Sequence, residues 1–232
     1  MRDEIGTQMP FALHKTFVVP EAPREIFRPL AFEQTAEARK RLGVRDDFLL
    51  FVSTIEPRKN LGMLLAAYEE LLRQMTSCPQ LVVTGRRGWL TEKLLSRLQA
   101  SNLKERVRLT GYISDDDLCA LYASCRSFIY PSSYEGFGLP PLEAMACGAP
   151  VIASRIPALI ETLEGAAELV PPTDALALAS SIIALLEDEA KRKSLSDAGR
   201  KRAAEFTWRR AAELTFRVYE EVLGKLKREQ RS

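Results

Sequence analysis

The chain has 232 residues, of which 46% are hydrophobic and 28% charged, with a formal net charge of +2 at pH 7. That size suits one large α/β domain or one domain with a long helical tail, and the composition is that of a globular protein. A near-neutral charge excludes a nucleic-acid binder that acts through its whole surface, no apolar run approaches the roughly 18 residues of a membrane span, and no signal peptide opens the chain.

Residues 1–47 read as irregular, with two exceptions. Phe17-Val18-Val19-Pro20 suits a short strand. Thr35 to Leu42, carrying Glu37, Arg39, Lys40 and Arg41, suits a short exposed helix with Thr35 as its N-cap. From Phe48 onward, apolar strands alternate with helices. Phe48–Ser53 is a strand run. Between Asn60 and Arg73 the apolar residues Leu61, Leu64, Leu65, Tyr68, Leu71 and Leu72 keep a helical period. Gln80–Gly85 is a second strand, Thr91–Ala100 a helix and Val107–Leu109 a short strand. Ser114 caps the next helix, with Asp115, Asp116 and Asp117 in its first turn. Ser127–Tyr130 and Ala149–Ala153 are strands on either side of a loop and helix, and Glu168–Val170 is a last short strand. Beyond Thr173 the pattern is helical, with Gly199 marking a break.

Strands alternating with helices imply crossover units and a parallel sheet. About six strands are present where a closed barrel needs eight, so the expected form is α/β, a Rossmann-like doubly wound parallel sheet with a long helical C-terminal tail.

The most informative stretch follows the Ser127–Tyr130 strand. Glu135 and Glu143 stand eight positions apart around Gly136-Phe137-Gly138-Leu139 and Pro140-Pro141. Strand, glycine loop, then helix is the order that places a ligand at a strand C-terminus and a helix N-terminus, where free N–H groups attract phosphate. Gly136 and Gly138 permit positive φ and close approach of a ligand. The two prolines suit a first helical turn, which also holds Glu143. A carboxylate beside phosphate would repel it, so Glu143 suits sugar or ribose hydroxyls. The plainer reading stays open: a Gly-Phe-Gly turn, and a glutamate favoured by the helix dipole.

Other loops follow strands and so share this sheet edge. In Ser53-Thr54-Ile55-Glu56-Pro57-Arg58-Lys59-Asn60, the cations Arg58 and Lys59 suit a diphosphate, against the alternative of a solvated basic turn. In Thr84-Gly85-Arg86-Arg87-Gly88-Trp89, Gly85 would let a nucleotide near the backbone, and Trp89 either stacks on a base or packs. The backbone of Thr110-Gly111-Tyr112-Ile113 suits a base edge. Ser154–Glu161 is a further loop of this kind.

The four cysteines (Cys78, Cys119, Cys125, Cys147) form no C-x-x-C pair and read as small buried hydrophobes in a reducing cytosol. With His14 the one histidine, no transition-metal site is expected. Lys225–Arg231 is a basic tail; a frayed solvated helix end and a weak contact with anionic lipid at the membrane face are both open.

These residues together resemble the C-terminal, donor-binding half of a GT-B glycosyltransferase of the retaining group 1 family (family 4). The resemblance rests on Glu56-Pro57-Arg58-Lys59-Asn60, the Gly85 turn, Val107–Gly111, Pro131-Ser132, Glu135–Pro140 with Glu143-Ala144-Met145, Gly148-x-Pro150-Val151-Ile152 and Thr207-Trp208. It runs from about residue 17 to residue 223, which leaves residues 1–16 as an interdomain-linker remnant and 17–232 as one nucleotide-sugar-binding domain. It implies that Arg58 and Lys59 neutralise a donor diphosphate and that Glu135 holds hydroxyls of the transferred sugar. The Gly136, Phe137, Gly138 and Leu139 backbone would hold sugar and phosphate, and Glu143 the ribose, with Gly85, Gly111 and Tyr112 completing the donor site. The implied reaction moves a hexose from a nucleotide diphosphate sugar to an acceptor hydroxyl with retention, without a metal or other cofactor, in polysaccharide or glycolipid synthesis. The Glu-Pro-Arg-Lys-Asn subgroup points to GDP-mannose.

The pattern departs from the family at Ser53-Thr54, where Gly-Arg or Gly-Lys is common, and at Arg155–Pro157, where small residues are common, while Glu161 keeps the usual acid. Val19-Pro20-Glu21-Ala22 lacks the usual Asn-Gly. The family's N-terminal acceptor domain is expected as a missing partner. The competing expectation is a non-catalytic nucleotide-sugar-binding module or one subunit of a split enzyme. A dinucleotide-dependent oxidoreductase is disfavoured, because Phe51–Ile55 has no G-x-G-x-x-G.

Overall fold

The structure, a computed structural model, describes residues 2–89, 94, 96–98 and 103–229. The helix expected over 91–100 falls mostly outside the described residues, as do the side chains of the basic tail from Lys225 onward.

The N-terminal part is more ordered than its sequence suggests. Helix α1 (Arg2–Gln8) and a 3-10 helix (Pro10–Lys15) precede α2 (Phe32–Leu42). Helix α2 starts three residues before Thr35. Its first turn is closed by Gln34 Oε1, which accepts from the Ala31 backbone N–H at 3.2 Å. Thr35 is therefore not the cap: it is buried inside the helix, accepts from Arg39 Nη1 at 3.0 Å and donates to Phe32 O at 2.8 Å. Phe17–Pro20 forms no strand, since β-branched propensity without a partner strand does not make one.

The sheet is as expected. Strands β1 (Phe48–Val52), β2 (Gln80–Thr84), β3 (Val107–Gly111), β4 (Ser127–Tyr130), β5 (Val151–Ser154) and β6 (Glu168–Val170) lie in the order β3-β2-β1-β4-β5-β6. Every neighbouring pair is parallel, with Phe48 opposite Gln80 on one side of β1 and Leu49 opposite Ser127 on the other. Strands β4 and β6 have the expected ends, and those of the other four differ by one or two residues.

Crossover helices cover both faces. They are α3 (Leu61–Gln74), α4 (Asp115–Ser124), α5 (Leu139–Ala146) and α6 (Pro157–Leu163), the last a helix where the sequence suggested only a loop; after the last strand come α7 (Ala175–Glu187), α8 (Glu189–Ala204) and α9 (Trp208–Glu229). Alternation along β1 divides the core in two. Phe48 and Leu50 join Tyr122 of α4, Leu142 of α5 and Leu159 of α6 on one face. Leu49 and Phe51 join Leu64 and Tyr68 of α3 and Leu178 of α7 on the other. Because both faces are buried, β1 reads as a continuous apolar run. Each such side chain contributes about 1.5–3 kcal/mol of burial.

Ser114 caps α4 as expected, accepting from Asp117 N–H at 3.2 Å. Gly199 does not break its helix. It sits within α8 against α5, where a Cβ would stand 3.0 Å from Met145 Cγ, so its glycine lets two helices approach closely. All four cysteines are buried and unbridged. Helix α9 extends outward with Phe216, Tyr219 and Leu223 exposed. No described helix is long and apolar enough to cross a membrane.

Candidate functional site

The strand order fixes where a ligand crevice lies. From β1 the chain moves to β2 and β3 on one side, then returns to β4 on the other. The loops after β1 and β4 therefore diverge at the switch point, where open parallel sheets bind ligands.

Those two loops carry Arg58, Lys59 and Glu135, and they meet. Lys59 Nζ donates to Glu135 Oε1 at 2.5 Å and to the Tyr130 hydroxyl at 2.8 Å, and that hydroxyl donates to the same carboxylate oxygen at 2.8 Å. Arg58 Nη1 donates to Glu135 Oε2 at 2.9 Å and to Tyr134 O at 2.8 Å, while Nη2 donates to Glu56 Oε1 at 2.7 Å. Ser133 clamps the same turn, its N–H and Oγ reaching Arg58 O at 2.9 and 3.1 Å. Lys59, Glu135 and Glu56 are buried, whereas the Arg58 side chain keeps 41% of its surface exposed. This is not a solvated basic turn. Burial alone would raise the Glu135 carboxyl, but the bonds and charge of Lys59 and the Tyr130 hydroxyl outweigh it and hold the group below its usual range.

Glu143 has a different setting. Helix α5 opens at Leu139, after Gly138 at φ +100°, so Glu143 lies beyond the first turn rather than in it. At Gly138 the positive φ favours glycine, and a Cβ there would also push Leu159 Cδ2, which stands 2.5 Å from its position. Past the free N–H groups, a helix-dipole explanation for Glu143 lapses. Burial pushes its carboxyl up to about 7, with nearby Asp115 adding to the rise and Arg24 opposing it. Arg24 and Asp115 form a bidentate pair at 2.6 and 2.8 Å. Tyr112 lies close enough to Arg24 to interact with its charge, and the Arg86 guanidinium stacks 4.6 Å over the Tyr112 ring. The structure thus divides the expected residues into two groups. Glu135 lies with Arg58 and Lys59, and Glu143 lies toward Arg24 and Tyr112.

The remaining candidates take varied places. Gly85 has φ +135°, and a Cβ there would stand 1.9 Å from Ser53 O; its missing side chain makes room for the β1 loop rather than for a ligand. Gly111 has φ +72° with open space beside it, and Tyr112 is exposed. Gly136 and Phe137 line an open cavity of about 820 Å³ with Phe17, Glu161, Arg202 and Arg210, a space that does not include Arg58 or Lys59. Phe137 also packs edge-on against Phe206 at 5.7 Å and its carbonyl accepts from Thr162 Oγ1 at 2.8 Å. Leu139 is the first residue of α5. Trp89 is exposed. Among the described residues, no three His, Cys, Asp or Glu side chains gather as a metal site.

Sequence reading missed Glu56, Tyr130 and Arg24. A signal existed for Tyr130: a hydroxyl inside a strand buried on both faces must find a partner. Glu56 had a weaker one, an acid two residues before an arginine. Arg24 had none, because Asp115 is distant in sequence.

The family described as "Glycosyl transferases group 1" matches residues 33–202. Similar curated proteins include the O-antigen chain mannosyltransferase B of Escherichia coli, 38% identical over 156 residues, which span 67% of this chain and 41% of that protein. The chain thus spans less than half the length of this relative. Among solved structures, sucrose-phosphate synthase from Thermosynechococcus elongatus superposes with a TM-score of 0.80 at 30% identity, over 97% of this chain and 57% of that one. Anabaena HepE in complex with UDP-glucose superposes with a TM-score of 0.73 over 87% of this chain and 56% of that one; at 22% identity, this likeness is one of fold.

Proposed function

The chain belongs to the group 1 glycosyltransferases, and from that premise we propose that it is the C-terminal, donor-binding half of a retaining family 4 hexosyltransferase. The donor is a nucleotide diphosphate sugar, with GDP-mannose the first choice because a 38% identical relative is a mannosyltransferase. Its acceptor lies on a facing domain, in polysaccharide or glycolipid synthesis. The observation that carries this reading is the pairing of Arg58 and Lys59 with Glu135 at the sheet's switch point.

The cluster is electrically balanced as it stands, with Arg58 and Lys59 against Glu56 and Glu135. A diphosphate adds negative charge, so at least one cation must turn toward it. Arg58 is the more exposed arm and the one that can exchange its bonds to Glu135 and Glu56 for phosphate; Lys59 is buried and stays beside Glu135. Sugar hydroxyls donating to Glu135 replace what Arg58 withdraws, and the carboxylate stays satisfied. The N–H groups opening α5 add to the phosphate field. In the transfer, the bond from the anomeric carbon to the phosphate oxygen breaks and a bond to the acceptor oxygen forms on the same sugar face. The acceptor proton passes to the leaving phosphate. Charge grows on that diphosphate, where cations fixed in a partly buried site stabilise it most. We assign no metal, because Arg58 and Lys59 supply the neutralisation. Glu143 takes the ribose hydroxyls, and the base lies toward Gly111, Tyr112 and Arg86.

Calorimetric titration with UDP, GDP and ADP tests this. The expected result is GDP binding at micromolar strength, about −8 kcal/mol, weakened in both Lys59→Ala and Glu143→Ala. If none of the three nucleotides binds, the donor-half reading fails.

A further inference from the structure

Asn60 has no assigned part in donor binding, yet it is the one non-glycine residue among those described that sits well inside the left-handed region, with φ 57° and ψ 33°. Asparagine enters this region more readily than most residues, but still at a cost, and it stays there only when the surroundings over-determine it. Here they do. Asn60 Nδ2 donates to Pro131 O at 3.1 Å and to Pro172 O at 2.8 Å, with Met63 Sδ a weaker contact at 3.5 Å. Asn60 ends the loop after β1. Pro131 begins the loop after β4, and Pro172 lies in the loop after β6. One side-chain amide therefore ties three strand-end loops together. The Asn60 backbone carbonyl accepts from the Met63 N–H at 3.1 Å and so starts α3.

Lys59 is the preceding residue. Its side chain has four rotatable bonds, and it keeps Nζ on both Glu135 and Tyr130 only if its backbone is fixed relative to the β4 loop. Ser133 fixes Arg58 O on one side of Lys59, and Asn60 supplies the anchor on the other.

We propose that Asn60 is a positioning residue that holds Arg58 and Lys59 in place by pinning their turn to the β4 and β6 loops. This rests on the reading that those cations meet a diphosphate. It brings the Pro172 loop into the support of the donor site, although no residue of that loop was assigned to it.

Asn60→Gly is the informative variant, because glycine accepts the left-handed backbone without strain while the amide and its bonds are lost with the side chain. GDP and UDP, with guanosine and uridine beside them, are titrated into wild type and variant. The expected result is a loss of roughly tenfold or more in nucleoside diphosphate affinity, with nucleoside affinity unchanged. A second measurement, carbon-13 NMR titration of the Glu135 carboxyl, does not depend on any ligand. In Asn60→Gly that carboxyl should titrate higher than in wild type, because Lys59 and Arg58 no longer hold it as closely. If wild type binds no nucleotide, the donor reading falls and the Glu135 titration alone decides the role of Asn60. An unmoved Glu135 titration overturns the proposal, as does equal loss of nucleoside and nucleoside diphosphate binding.

Discussion

Glu135 and Glu143 belong to one loop-helix segment, the first buried and the second half-buried, and their carboxyls move in opposite directions. Glu135 receives Lys59, Arg58 and Tyr130 directly and is held as a carboxylate. Glu143 receives no direct cation; Arg24 is occupied by Asp115, and burial raises the Glu143 carboxyl to about 7. The comparison teaches that burial sets only the penalty, while partners decide whether the charge survives it. The first site is complete before a ligand arrives. The second has no cation bonded to it, which suits a group that takes hydroxyls.

The largest expected effect comes from breaking the first site. Lys59→Met leaves a buried carboxylate without its nearest cation and should cost about 3–5 kcal/mol in denaturant unfolding. Adding Glu135→Gln should recover much of that loss, because the uncompensated charge goes with it. If the double variant is as unstable as the single one, the damage lies in packing and not in charge.

Next in size is the pH dependence. For Glu143 the folded carboxyl titrates near 7 and the unfolded one near 4.5, so between those values the native state holds a proton that the unfolded state has released. Stability should therefore fall as pH rises through that window and level off above it. Glu143→Gln should remove this slope and, above neutrality, raise stability by about 1–3 kcal/mol while weakening nucleotide binding. Glu135 acts on the other limb. Its folded value is depressed below 4.5, so its contribution is present above that pH and is lost as pH falls further. Thermal midpoints across pH for wild type and Glu143→Gln check both limbs; an unchanged slope in Glu143→Gln would place the neutral limb elsewhere.

The smallest effect sharpens the second site. Arg24→Gln removes the cation that opposes the rise, so Glu143 should titrate higher still by NMR, while stability changes by no more than about 1 kcal/mol because the Arg24–Asp115 pair is exposed.

Much of this was legible in the sequence. The alternation of apolar runs and helical periods gave all six strands, most plainly the inner β1, β2, β4 and β5, whose unbroken runs are buried on both faces; helix α6 was read as part of the Ser154–Glu161 loop, because Pro157 and its short span hide a helix that only packing reveals. The two glutamates and the Arg58-Lys59 pair were found because they follow strands. Local chemistry misled where tertiary contacts prevail. Thr35 has cap chemistry, but Gln34 closes the turn for a helix that starts earlier. Gly199 looks like a break only until Met145 is placed against it. The hidden part of the site was the set of residues that neutralise or satisfy others, Glu56, Tyr130 and Arg24. Glu56 and Tyr130 left only weak local signals, and Arg24 left none, because its partner Asp115 is 91 residues away.

The strand order also sets the sequence of events as the chain is made. Strand β1 pairs on one side with β2, which is synthesised soon after it, but its other edge waits for Ser127–Tyr130. A nascent chain that has reached Gly111 can join β1, β2 and β3, yet it exposes one flank of its central strand as an open edge able to recruit foreign strands. The crevice does not exist at that stage, since one of its walls is the loop after β4. At the usual pace of roughly 5–20 residues per second, the interval lasts on the order of seconds. Ribosome-stalled chains ending before Ser127 should therefore lack nucleotide binding and depend most on chaperones. Those extended past α6, which packs against the β4 face, should begin to acquire both the site and independence.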